Sequence, residues 1–426
     1  MRSVPSVCSH LLVTQSVGSF LKSFTGSGKE HHLLCPACAG GHPDLSAVSE
    51  ETFARIEADG DWEGIRGHPE VPCEASGLRF VEEDPVDLDE LRSRDVRAIA
   101  ALGIHWVVVT VTGDILELDT TTPATRRFGS VTGSVALDGR IELVASPDGS
   151  MVAVTESLGL RGVVVDCATG RILLELARGE HGHKVTPFIP AFVERDVGGV
   201  KRQLLVHPTE WNRLDVTDPR SGEAFARRPI PPCSTPPAQH YLDYFHGALV
   251  VSPAGKWIAD DGWHWHPFGA LTTWSVDRWL AENPWESEDG ETLRTLAFRG
   301  YFWDSSACWL NETTLAIWGH GLDDEWLIPA VQTFDVLTGA EKAWFPCFAG
   351  ADDPHPTPWV RSRWMIFDRW LFVVRRGQGT TVWDTTTGAC LLNDARVSPH
   401  AYQPATRTFI RLNECDAFVL FRCVEA

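Results

Sequence analysis

Thr381-Val382-Trp383-Asp384-Thr385-Thr386-Thr387-Gly388-Ala389-Cys390-Leu391 is a short β-branched and aromatic run ending in Trp-Asp, then a turn closed by Thr-Gly, then the start of another run. β-branched and aromatic residues suit a pleated strand, and glycine takes the turn conformation that other residues avoid, so the stretch reads strand, turn, strand. Its Asp serves as a ruler along the chain. Asp119 follows Leu116-Glu117-Leu118, and Asp166 follows Val163-Val164-Val165 and precedes Cys167-Ala168-Thr169-Gly170. Asp215 follows Leu214 and precedes a run ending in Ser221-Gly222, and Asp335 follows Thr333-Phe334 and precedes Val336-Leu337-Thr338-Gly339. Ser275, after Thr273-Trp274, holds the place in a degenerate copy. The steps are 47, 49, 60, 60 and 49 residues.

A second marker lies upstream of the ruler. Ser146-Pro147-Asp148-Gly149 separates the apolar runs 141–145 and 151–155, and Ser252-Pro253-Ala254-Gly255 separates Leu249-Val250-Val251 from Trp257-Ile258-Ala259. One period therefore reads strand, Ser-Pro-x-Gly turn, strand, loop, strand ending in Asp, Thr-Gly turn, strand. Four short strands at a period of this size predict an all-β fold, a β-propeller of about seven blades. Blades are expected over 99–135, 136–182, 183–239, 240–299, 300–350, 355–397 and 398–424. The last is too short for four strands. A propeller must close, so a strand within 77–82, Leu78-Arg79-Phe80-Val81, is expected to complete it.

The repeat resembles a blade of the WD-repeat-like β-propeller family. Trp383-Asp384 supplies that family's dipeptide, and Ser146-Pro147-Asp148-Gly149 its signature turn between strands. The likeness extends over residues 97–424 and is to a divergent form, since most blades lack a Gly-His opening and two periods are stretched; a bacterial-type member is expected. It implies the fold and a scaffold role in protein–protein interaction. It says little of activity, because propellers host unrelated functions.

Upstream, residues 1–77 form a Cys/His-containing segment in which Ser49 suits the cap of a short helix. Residues 78–102 are expected to hold the closing strand and a connector helix over 84–102, with Leu88, Leu91, Val96, Ile99 and Leu102 near helical spacing. The propeller fills 103–426.

The chain of 426 residues carries 57 acids against 37 bases, a formal charge of −20. That field opposes nucleic acid and anionic membranes as partners. No apolar run reaches the ~20 residues needed to span a bilayer. The start does not resemble a signal peptide, so a cytoplasmic protein is expected. The eleven cysteines are then expected as reduced thiols, with Cys167, Cys308, Cys390, Cys415 and Cys423 as small buried hydrophobes. No nucleophile elbow, phosphate-binding loop or His-Glu-x-x-His motif is present.

Three constellations are candidates for function. Cys35-Pro36-Ala37-Cys38 suits half of a structural zinc site, completed by Cys8, Cys73 or a nearby histidine; unligated thiols are the competing reading. In Asp260-Asp261-Gly262-Trp263-His264-Trp265-His266, strand alternation puts Trp263 and Trp265 on one face and His264 and His266 on the other. The two histidines could take a metal with Asp260 or Asp261, or the tryptophans could simply be stacked core indoles. Third, the insertion 279–285, with Trp279 and Trp285, is expected on one propeller face as a binding surface, against the plainer reading of core filling. The sequence thus points to a non-catalytic interaction module. The alternative is a hydrolase or lyase acting on a sugar-like or small polar substrate at the channel mouth. A mouth packed with apolar side chains beside an exposed aromatic patch favours the first; ionisable groups converging there favour the second.

Overall fold

The computed structural model describes residues 76–426 other than 89–90, 234, 236, 266, 321–327, 348–362, 376, 414–415 and 426, together with Cys73 and three short strands at 6–7, 21–24 and 31–34. Those three strands pair as one small sheet. The rest of the described chain forms a β-propeller of seven four-stranded antiparallel sheets, in which sequence neighbours pair in order. Blades 1 to 6 run over 96–130, 141–177, 191–225, 245–300, 307–346 and 363–394. Blade 7 joins Ala401–Gln403, Thr408–Leu412 and Phe418–Glu425 to Leu78–Glu82. Leu78–Glu82 runs antiparallel to Phe418–Glu425, from Glu82 opposite Phe421 to Leu78 opposite Glu425. Closure of this kind covers the row of free N–H and C=O groups that the last strand would otherwise present.

The core lies between blades. Val107, Val109 and Ile115 of blade 1 pack on Val152, Val154 and Val163 of blade 2. Trp318 and Phe345 of blade 5 pack in one cluster with Leu371, Val373 and Trp383 of blade 6.

The ruler turn has a physical basis. The Asp384 carboxylate accepts from the backbone N–H of Thr386 at 2.7 Å and of Thr387 at 3.3 Å, while Gly388 N–H donates to the Asp384 carbonyl at 2.8 Å. Gly388 sits at φ 71°, which only glycine adopts without strain. Asp335 holds the same turn through Leu337 and Thr338. In blade 3 the ruler is Asp218 rather than the expected Asp215. Gly222 N–H donates to the Asp218 carbonyl at 2.8 Å, and Asp218 follows the end of the strand Arg213–Thr217. Asp215 lies inside that strand and holds Arg213 and Thr209. Asp384→Ala should lower stability by about 1 kcal/mol, the net worth of a lost side-chain cap, read as a shifted denaturant midpoint at unchanged slope.

The connector helix expected over 84–102 is not formed. Ser93–Asp95 make a single 3-10 turn, and Val96–Leu102 is the first strand of blade 1, paired with His105–Thr110. The segment Val-Arg-Ala-Ile-Ala-Ala-Leu reads as helix on propensity, and pairing in the sheet overrides that weak preference. Leu88 and Leu91 are buried against Trp106 and Phe418.

Cys73 and Cys390 are joined in a disulfide, contrary to the expectation of reduced thiols. Cys390 opens the outer strand of blade 6, and Ser76 Oγ donates to Leu391 O at 2.5 Å. The segment leading into the closing strand is thereby held to blade 6. A disulfide sulfur has no thiolate to offer a metal, which takes Cys73 out of the zinc set; Cys8, Cys35 and Cys38 lie outside the described residues. Cys73→Ser should cost roughly 2–4 kcal/mol in equilibrium unfolding. A thiol reductant should produce the same loss in the wild type and no further loss in the variant.

Candidate functional site: the aromatic end of blade 4

Blade 4 comprises Phe245–Val251, Trp257–His264, Phe268–Ser275 and Arg294–Gly300. One end of it carries Trp265 and Pro267, in turn conformation between the second and third strands, and the link 301–306 into blade 5. Turn and link are tied where Tyr301 N–H donates to Pro267 O at 2.8 Å. Beneath them lies a stack of buried rings. Phe245 and Trp263 are parallel at 4.0 Å, Trp263 and Trp303 stack at 5.1 Å, and Trp211 from blade 3 packs on Phe245 at 4.5 Å. Trp303 Nε1–H donates to Val185 O at 3.0 Å, fastening the link after blade 4 to the link after blade 2. Gly182, at φ 72°, lets that second link approach: a Cβ there would stand 2.4 Å from the Phe245 ring.

Outside this stack four large rings face solvent: Trp265 (59% exposed), Tyr301 (56%), Phe298 (49%) and Phe268 (37%). Phe268 and Phe298 stack on each other at 4.9 Å, and Trp265 lies 5.9 Å from Trp263 and 6.5 Å from Phe245. Trp265 thus continues the buried stack outward, while Phe268 and Phe298, on the opposite sheet face with His264, form a second exposed pair at the same end of the blade. Large apolar groups clustered in this way mark contact surfaces more often than a scattered exposed leucine does.

The carboxylates of the same blade point inward. Asp260 lies 2.6 Å from His246 Nδ1 and accepts from Gly247 N–H at 2.8 Å. Asp261 accepts from Ser305 Oγ at 2.8 Å and pairs with Arg299 at 3.5 Å, while Arg299 also donates to Trp318 O at 3.1 Å. All four ionisable groups are buried. Burial draws the Arg299 guanidinium below its usual range, and the charge of Asp261 opposes that shift. The Tyr244 phenol, wholly buried, is pushed well above the usual tyrosine range, chiefly by desolvation and then by the charge of Asp260.

Of the described blade 4 residues singled out by sequence, Trp265 alone stands well out in solvent. Trp263 is buried in the stack, and Asp260 and Asp261 are interior scaffold. His264 is half-buried, its Nδ1 2.6 Å from Asp243 O; His266 lies outside the described residues. Asp260 and His264 are four residues apart on one strand, about 13 Å, too far to share an ion. Among the described residues no group of three His, Cys, Asp or Glu side chains is placed to hold a metal.

The insertion lies at the opposite end of the blade. It forms two short helices, α1 (Val276–Ala281) and α2 (Glu286–Asp289), between the third and fourth strands. Trp279 is buried, edge-on to Trp274 at 5.8 Å, and donates to Pro284 O at 3.1 Å. Trp285 is half-buried and stacks on His240 at 4.4 Å. Trp279 is thus core filling rather than a binding surface. Phe268, Phe298 and Tyr301 were missed by sequence reasoning; their signal was a set of aromatics at strand ends flanking the turns on either side of one blade.

A concavity of about 430 Å³ opens at the edges of blades 1 to 3. Both of its arginines are engaged, Arg126 by Glu117 on its wall and Arg220 by the buried Asp166 at 2.7 Å.

No family model and no curated protein sequence matches the chain. A chain in a solved structure titled "Crystal Structure of Mitotic Checkpoint Complex" aligns at 11% identity over 84% of this chain and 95% of that one, with a TM-score of 0.49. At that identity and score the likeness says nothing of this chain's partners or of a bacterial origin. Among the described residues no helix is long and apolar enough to cross a membrane.

Proposed function

We propose that the chain is a non-catalytic protein-interaction module, a scaffold that binds a partner through the Trp265, Phe268, Phe298 and Tyr301 row. The observation that carries this reading is the group of exposed rings itself, with Trp265 set against a buried stack of rings. The buried stack backs Trp265, and Phe268 and Phe298 back each other, so less ordering entropy opposes binding. The alternative, a hydrolase or lyase site, draws on no observation: Asp260 and Asp261 are engaged by His246 and Arg299 inside the blade. Within the same reading, Cys8, Cys35 and Cys38 of the N-terminal segment remain proposed ligands of a structural zinc. Zinc content unchanged in Cys35→Ser and Cys38→Ser would remove that proposal.

The test of the interaction surface is a double variant, Trp265→Ala with Tyr301→Ala. It should keep the wild-type unfolding midpoint within ~0.5 kcal/mol, as surface substitutions do. It should also lose, by tenfold or more, a protein that the wild type recovers stoichiometrically from host extract and rebinds when purified, the size of effect expected of central aromatic anchors. Equal recovery by both proteins would place the contact elsewhere.

A further inference from the structure

We infer that the partner segment received by the aromatic row is cationic and carries arginine side chains. The inference rests on the interaction reading above and adds the chemistry of the partner. Exposed indole and phenyl faces are electron-rich and attract a guanidinium laid over them. The charges around this end of the propeller complete the argument. Among the described residues of blades 2 to 4, Glu180, Glu210 and Asp243 are exposed at this end, against Lys184 and Arg161, the latter set back on blade 2 opposite Ala177.

Their placement follows from contacts. The carbonyl of Asp243 holds His264, whose ring lies 6.2 Å from Phe298. Glu210 adjoins Trp211, which packs on the Phe245 ring beneath Trp265. Glu180 adjoins His181, whose ring lies 5.3 Å from Trp211.

The protein supplies no competing cation from the adjoining strand. Arg299, next to Phe298, turns inward to Asp261 with its guanidinium 4.7 Å from the Phe302 ring. An acidic partner would be repelled by the rim and by a chain charge of −20, and a purely apolar one would leave the rim carboxylates without compensation. Arginine suits the row better than lysine, because its planar fork stacks on rings and pairs with carboxylates at once.

The experiment uses the full chain and four short fluorescein-labelled peptides of one spacing, carrying arginine, lysine, glutamine or glutamate at the same positions, followed by anisotropy at physiological ionic strength. The arginine peptide should bind most tightly, lysine several-fold more weakly, and glutamine and glutamate not measurably. Trp265→Ala/Tyr301→Ala should weaken the arginine peptide about tenfold. Glu210→Gln/Asp243→Asn should weaken it a few-fold, with both variants matched to wild type in unfolding midpoint. Three results would each overturn the inference: no binding of the arginine peptide, equal binding of the glutamine peptide, or an arginine peptide that binds the aromatic double variant as tightly as wild type. If a partner protein contacts position 265 yet its binding ignores arginine replacement in the contacting segment, the cationic inference fails and the interaction surface stands. If no partner contacts that position, both fail.

Discussion

Asp261→Ala should lower global stability by roughly 3–5 kcal/mol, the cost of leaving a buried charge without its partner. Arg299 is wholly buried, and its other acceptors, Trp318 O and Ser305 Oγ, are neutral. The substitution also strips Ser305 Oγ and its N–H of their carboxylate acceptor. A domain whose total stability is 5–15 kcal/mol would lose a large fraction of it. Asp261→Asn, which keeps an acceptor for Ser305, should cost less. Replacing both partners, Asp261→Leu with Arg299→Met, should recover most of the loss, because a well-packed apolar pair no longer carries a desolvated charge. Equilibrium urea unfolding reads all three. Were Asp261 a functional carboxylate held apart from the fold, the alanine variant would unfold at the wild-type midpoint or above it.

Glu288→Ala should cost roughly 1.5–3 kcal/mol, the worth of hydrogen bonds to a charged group, because Asp215 remains 3.9 Å from Arg228 as a second carboxylate. Arg228 Nε donates to Glu288 Oε1 at 2.9 Å, and both side chains are buried. Arg228 also donates to Leu214 O at 2.9 Å, and its guanidinium lies 5.7 Å from Trp279 and 5.8 Å from Trp285. The pair fastens α2 to the segment after the last strand of blade 3. Its loss should therefore loosen both the insertion and the contact between blades 3 and 4. Glu288→Gln should be milder. A change under ~1 kcal/mol for Glu288→Ala would mean that the insertion is not part of the propeller core.

The repeat was legible because its signals are local: β-branched runs, an Asp that caps the turn two and three residues on, and a glycine at positive φ. Where several strands offered similar local chemistry, the reading slipped. Asp215 follows Leu214 and Asp218 follows Val216-Thr217, residues that suit a strand in both cases, and only the strand's true end separates them. The run 96–102 is alanine-rich and reads as helix until it meets its partner strand. Trp263 and Trp265 are two residues apart in the same pattern. The strand ends at His264, so one indole enters the stack and the other stands in the turn. The burial of Asp260 and Asp261 was hidden because their partners, His246 and Arg299, lie 14 and 38 residues away in sequence. The cysteine pairing spans 317 residues, and nothing local announces it.

The most direct measurement is site-specific photo-cross-linking in host extract, with a benzophenone side chain at position 265 and, as control, at position 337. Leu337 is likewise exposed (52%), in the turn between the third and fourth strands of blade 5, at the end of the propeller opposite the aromatic row. A discrete adduct of defined mass at 265, absent at 337 and lost when Phe298 and Tyr301 are replaced by alanine, is the predicted result. No adduct at 265, or equal adducts at both positions, would contradict a partner-binding surface on blade 4.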